Sequence, residues 1–227
     1  MRLTLDHVIL RAADAAAALE QLAAKTGAPV LVPAHEAGAF TSGILRASVD
    51  IEVLAIGAEP PPEVVGYGLG FTADVPLEQA STQLRVAGYK TSPEVAATAN
   101  GRTWAAVQVH GLLPDPFPAP TFRKPHSTKQ RATEMLTLAI ARIPPVMRAL
   151  TRRAGSSMVV LTEYRFDAAH WRAAAGPGPT VTTVEVGTAG HDWSGVPIAP
   201  GPLVLDPEGP PGVRRIVFEG GAELRLR

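Results

Sequence analysis

The sequence predicts an α+β fold in which a β-α-β-β-β pass is used more than once. Three observations carry that expectation. Residues 3 to 57 read as strand, helix and three strands, the same order restarts at residue 66 after a proline run, and the tail is rich in strand-type stretches with no helix between them.

The first pass opens with "LTLDHVIL", an aliphatic strand interrupted by Asp6 and His7. Strict alternation places His7 on one face with Leu3, Leu5 and Ile9. "AADAAAALEQLAAKTG" follows as a helix, with Leu19, Leu22 and Ala23 in one stripe, Asp14 as N-cap or first-turn acid, and Gly27 as the stop. "PVLVPA", "FTSGILRAS" and "DIEVLAIG" are the three strands, and "AEPPPE" breaks the pattern as a linker. The second pass runs through the strand "GYGLGFTADV" and the helix "PLEQASTQLRVAGY", which starts near a proline and ends at Gly88. Its later strands are "RTWAAVQVHG" and "SMVVLTEYRF". Between them, residues 112 to 157 form an insertion that begins with "LLPDPFPAP" and continues as a basic amphipathic segment broken at Pro144-Pro145. That segment reads as a lid over a pocket or a dimer contact, with its arginines solvated. The third unit, "TVTTVEVGT", "GPLVLDP" and "VRRIVFEGGAELRLR", repeats the strands with the helix worn down to "GHDWSG". The units span residues 1–58, 66–166 and 179–227.

Composition excludes several classes of function. Lys plus Arg and Asp plus Glu both number 21, so there is no net field to recruit nucleic acid or an anionic membrane. The absence of cysteine removes disulfides, thiolate metal sites and a cysteine nucleophile. No signal-peptide pattern opens the chain, and no apolar stretch approaches the roughly 20 residues of a bilayer span. The expectation is a cytoplasmic protein.

Parity then separates the acidic residues. Glu52 shares a face with Leu54 and Ile56 while Ile51, Val53 and Ala55 occupy the other, so this strand is apolar on both sides and needs cover on both. One face should meet helices and the other a cavity. A carboxylate there needs a cation, a hydrogen-bond partner or a raised pKa. Glu163 shares a face with Val159 and Leu161 in a similar setting, whereas Glu223 lies beside Arg225 and Arg227 as a solvated edge or charge pair. Among other residues, His110 can line a pocket mouth, Trp104 can stack on a ligand or pack in the core, and Tyr67 and Tyr164 can offer hydroxyls. His35, His126, His170 and His191 sit in loop-like or polar contexts.

The order of elements, together with "LDHVIL" at the start of the first pass and "IEVLAI" at its end, resembles the vicinal oxygen chelate superfamily, above all its glyoxalase-like branch. The resemblance covers residues 3 to 57 well, 66 to 110 moderately and the remainder loosely. It implies paired βαβββ modules that curl a mixed sheet around a cavity, here with a degenerate third β unit. It also implies a divalent metal held by a His, Gln or Glu on the first strand and a Glu or His on the last strand of each module. Carried over by position, His7, Glu52 and Glu163 fall on metal-ligand positions, while the fourth position falls near Gly70 or Phe71, which cannot ligate. The His-to-Gly-Thr-x-Asn turn of glyoxalase-like relatives is represented in "HEAGAFTSG" by His35 and Gly38, without the Asn.

The resemblance, taken with these residues, implies two possible functions. One is Fe, Mn, Ni or Zn assisting an isomerase, lyase or dioxygenase reaction on a substrate with vicinal oxygens, with Glu52 or Glu163 as base. The other is a metal-free small-molecule-binding protein of the sequestering type, in which His7 simply hydrogen-bonds Glu52. In both, the partner is a small molecule, with a homodimer through the insertion as a further option.

Overall fold

The computed structural model describes residues 1–37, 40–56, 61–99, 101–113 and 157–226, so nearly all of the insertion lies outside the described residues. The first pass is β1 (Leu3–Arg11), α1 (Ala15–Thr26), β2 (Val30–Ala37), β3 (Phe40–Leu45) and β4 (Asp50–Ile56). The second is β5 (Val65–Ala73), α2 (Leu77–Val86), the short β6 (Lys90–Thr91), β7 (Val95–Ala99), β8 (Arg102–His110) and β9 (Met158–Tyr164). Eight strands run in the order β2-β3-β4-β1-β5-β9-β8-β6, with β7 also paired to β8. Within each pass the first strand lies parallel to the last, β1 with β4 and β5 with β9. The two first strands meet antiparallel, so β1–β5 is the seam between modules. This is the α+β arrangement of paired βαβββ modules that the strand order predicts.

The helix ends follow local chemistry. Asp14 Oδ1 accepts from the N–H groups of Ala16 and Ala17, and Gly27 closes α1 in the left-handed region at φ 71°. Pro76 precedes α2 and offers no side-chain cap. The carboxylate of Glu163, on β9, takes that role by accepting from Leu77 N–H at 3.1 Å.

A short helix α3 (Ala168–Ala174) follows β9, and then comes a second sheet of β10 (Val181–Gly187), β11 (Leu203–Asp206), β12 (Gly212–Phe218) and β13 (Glu223–Arg225), in the order β11-β10-β12-β13. The segment "GHDWSG" forms turns and no helix, in line with the helix-free third unit expected from the sequence. It sends Trp193 into the core, where its Nε1–H donates to Leu112 O and its ring lies 6.4 Å from Phe71. One hydrophobic cluster joins Leu19 and Leu22 of α1, Leu77 and Leu84 of α2, and Val184, Val213, Ile216 and Phe218 of the small sheet. The helices α1 and α2 and the small sheet therefore cover the same face of the large sheet. The opposite face carries a separate cluster built on Ile9, Leu54 and Tyr67.

The seam does not alternate strictly. Leu5 pairs with Phe71 but His7 pairs with Gly70, so β1 gains a residue at Asp6. Ile9 pairs with Gly68 but Leu10 with Gly66, so β5 gains one at Tyr67. The first bulge corrects the expectation that His7 shares a face with Leu3 and Leu5. Those leucines join Val8 and Leu10 in the main core, and of the predicted companions only Ile9 stays with His7 on the other face.

Contact between the two sheets depends on Gly66. A Cβ at that position would lie 2.0 Å from the Val213 carbonyl oxygen of β12. Gly66→Ala is expected to destabilise the protein by about 1–3 kcal/mol in urea unfolding, because the obstacle is backbone and cannot rotate away. Unchanged stability would mean that the small sheet does not pack on β5.

Candidate functional site

The face of the large sheet opposite α1 and α2 encloses a cavity of about 830 Å³. Its walls are mostly apolar, with Ile9, Ile44, Leu54, Ile56, Met158 and Val160 around the floor. Two of the three tryptophans and two of the three tyrosines of the chain also line it, as Trp104, Trp171, Tyr67 and Tyr164. Tyr164, Phe166 and Trp171 stack edge-on or tilted, with ring centroids 5.4–6.2 Å apart.

A buried charge network lies beneath one end. Asp6 Oδ2 accepts from the Tyr164 hydroxyl at 2.7 Å and pairs with His7 Nδ1 at 2.9 Å. Arg172, from α3, donates to Asp6 Oδ1 and to Asp50 Oδ2, each at 2.7 Å, and its guanidinium lies 5.0 Å from the Tyr164 ring centroid. Arg46 reaches the other oxygen of Asp50 at 2.9 Å. Above this network, His7 Nε2 is 3.7 Å from Glu52 Oε2, and Glu52 Oε1 accepts from Ser42 Oγ at 2.7 Å.

These contacts shift the ionisations. Burial works against the Asp6 carboxylate, but the hydrogen bond and charge of His7, the charge of Arg172 and the Tyr164 hydroxyl hold its pKa at about 2. Burial also works against protonated His7, and here the Asp6 hydrogen bond and the charges of Asp6, Glu52 and Asp50 prevail, so its pKa is raised. Burial, with Asp6 close by, raises the pKa of Tyr164 and leaves its hydroxyl a neutral donor.

The structure brings together only some of the residues singled out in the sequence. His7, Glu52, Trp104 and Tyr164 line the cavity. His110 is buried at the end of β8, outside the lining. Glu163 is turned away from the cavity, towards the α2 N-terminus and Arg165. The reason is parity. Met158, Val160, Thr162 and Tyr164 face the cavity, while Val159 and Leu161 face the core. Glu52 stands two residues beyond Asp50, the β4 partner of His7. The matching place in β9, two residues beyond Val160, the partner of Gly70, is Thr162. The assignment of Glu163 to that position is thus one residue out of register. His35 lines the cavity from β2, with its Nδ1 3.2 Å from Pro33 O, and His126 lies outside the described residues.

The residues present do not fit the divalent metal that the resemblance implies. His7 and Glu52 carry donors, whereas Gly70 and Thr162 stand at the other two positions. The space over Gly70 is filled by the His7 ring itself, since a Cβ there would lie 2.0 Å from Cε1 and 2.2 Å from Nε2. Among the described residues, no three His, Asp or Glu side chains gather as a metal-holding group. Sequence reasoning missed Asp6 as an organising residue, and also Ser42, Thr162, Phe166, Trp171 and Arg172. The one signal available was the Asp-His pair inside an aliphatic strand.

No family model and no curated protein matches the sequence. Among solved structures, the chain is similar to methylmalonyl-CoA epimerase from Mycobacterium tuberculosis, with 15% identity and a TM-score of 0.43, covering 73% of this chain and 91% of that one. It is similar to a mutant 4-hydroxymandelate synthase from Streptomyces coelicolor, with 15% identity and a TM-score of 0.44, covering 82% and 47%. It is also similar to an extradiol ring-cleaving dioxygenase from B. fuscum, with 11% identity and a TM-score of 0.42, covering 95% and 49%. Likeness at this level transfers no residue role.

The network predicts an acid-dependent stability. Because Asp6 titrates at about 2 when folded against 3.8 ordinarily, its contribution is present above pH 3.8 and lost as pH falls towards 2, about 2 kcal/mol in all. The raised pKa of His7 acts in the opposite sense. Its contribution is present below about 6.5 and lost as pH rises through the folded value. Unfolding of Asp6→Asn measured across pH should lack the acid-side loss. Arg172→Met, which takes one charged partner from each of two buried carboxylates that keep their others, should cost about 2–4 kcal/mol at neutral pH.

Proposed function

We propose that this protein binds a small, largely apolar organic molecule in the cavity and does so without a metal. The observation that carries this reading is the His7 ring lying over Gly70, with Thr162 at the remaining position, so that only two of the four superfamily ligand positions bear metal donors. The wall fits the same reading. It is built of aliphatic and aromatic side chains with a few polar groups at one end, as in pockets that hold organic ligands by shape and orientation. Equal acidic and basic counts suit a small-molecule partner better than nucleic acid or an anionic membrane. No helix among the described residues is long and apolar enough to cross a membrane. A cytoplasmic location belongs to the same proposal.

One observation supports turnover as a second reading. Asp6 holds the His7 imidazole through Nδ1, with Nε2 turned to Glu52 inside the cavity. Such a pair can exchange a proton with a bound molecule in isomerase-type chemistry, with no metal-bound step required.

Incubation with Fe(II), Mn(II), Ni(II) and Zn(II), followed by desalting and elemental mass spectrometry, tests the metal-free reading. Far less than one equivalent of any metal is expected in wild type and in His7→Ala alike. Stoichiometric metal that disappears in His7→Ala would overturn it.

A further inference from the structure

The bulge in β5 falls on a single residue, Tyr67, and changes its face. Leu69 and Phe71 of the same strand point into the main core, and unbroken alternation would send Tyr67 after them. The register shift places Tyr67 on the cavity side instead, against Ile9 and Leu54. Its neighbours Gly66 and Gly68 add no side chains to that stretch. Bulges interrupt a ladder of hydrogen bonds and recur where a side chain must be re-aimed beside a site.

The re-aimed side chain is a polar one set among apolar groups. Tyr67 is 3% exposed, and its hydroxyl has no hydrogen-bond partner among the described residues. Phe40, Ile56, Met158 and Val160 complete the cluster around it, and none of their side chains accepts a hydrogen bond of ordinary strength. A buried hydroxyl left in this condition is uncommon in a folded protein and calls for a partner that arrives from outside the chain. Burial raises the Tyr67 pKa, with the Arg11 charge opposing, so the group is a neutral O–H donor.

We propose that Tyr67 is the hydrogen-bond donor for the bound molecule, which presents a carbonyl-type acceptor oxygen on an otherwise apolar, ring-sized body. This rests on the cavity-binding reading and narrows it to one ligand class. Tyr67 sets specificity, and the polar groups around His7 and Glu52 meet a different part of the ligand. Discrimination comes from the empty protein, since a hydrocarbon of the same shape leaves the hydroxyl unpaired while a ketone satisfies it.

The test uses two probes of matched shape, 2-acetonaphthone and 2-ethylnaphthalene, measured by equilibrium dialysis against the full-length wild type and Tyr67→Phe. Wild type is expected to favour the ketone, and Tyr67→Phe to weaken ketone binding roughly 3- to 10-fold while leaving the hydrocarbon unchanged. Tyr67→Phe should also unfold at the same or higher urea concentration, because it removes an unpaired buried hydroxyl. Equal loss of both probes, or an unchanged ratio between them, would overturn the role of Tyr67 and leave cavity binding standing. Failure of wild type to bind either probe would overturn the cavity-binding reading itself.

Discussion

The Asp6 carboxylate is the constraint around which this structure is arranged. It is buried in the middle of a strand, at the seam between two modules, where a bare negative charge is untenable. Three different elements answer it. His7 comes from the same strand, Tyr164 from the end of β9, and Arg172 from α3. Arg172 also holds Asp50 of β4 and donates to the Tyr164 hydroxyl of β9 at 3.2 Å, so one guanidinium ties both modules and the helix after β9 to a single point. No residue of α3 is fully buried, so these charge-assisted bonds, with the stacking of Trp171, keep the helix against the cavity wall.

From that point the character of the cavity follows. The Asp6 hydrogen bond holds His7 with its ring over Gly70, which is possible only because position 70 has no side chain. The imidazole thereby fills the place from which the second module would reach a shared metal. What remains is a polar corner of His7, Glu52 and Ser42 facing an aliphatic and aromatic hollow. Such a corner can orient a ligand or move a proton, and under the proposed function apolar burial in the hollow would supply the affinity.

Legibility in the sequence differed from one side chain to the next. Glu52 was readable, because β4 alternates without interruption and its two apolar faces demanded cover on both. His7 was found on the right wall for the wrong reason, since the Asp6 bulge inverts the pattern that linked it to Leu3 and Leu5. Glu163 was misread because its apolar neighbours Val159 and Leu161 suit a core face as well as they suit a cavity face. Its actual work, capping a helix that begins at a proline, involves Leu77, 86 positions away.

By itself the sequence determined the order of elements, the helix ends at Asp14 and Gly27, and the repeated βαβββ pass, because these depend on local periodicity and on the conformations open to individual residues. The tertiary structure decided which side of each strand is the cavity. It also placed the small sheet on the helix-covered face and drew Arg172 to Asp6 across 166 positions. Register and bulges are set by the pairing of distant strands, and buried charges by partners that only packing supplies. A single added residue at Asp6 and another at Tyr67 change which face every later side chain takes, and nothing local in either strand announces them.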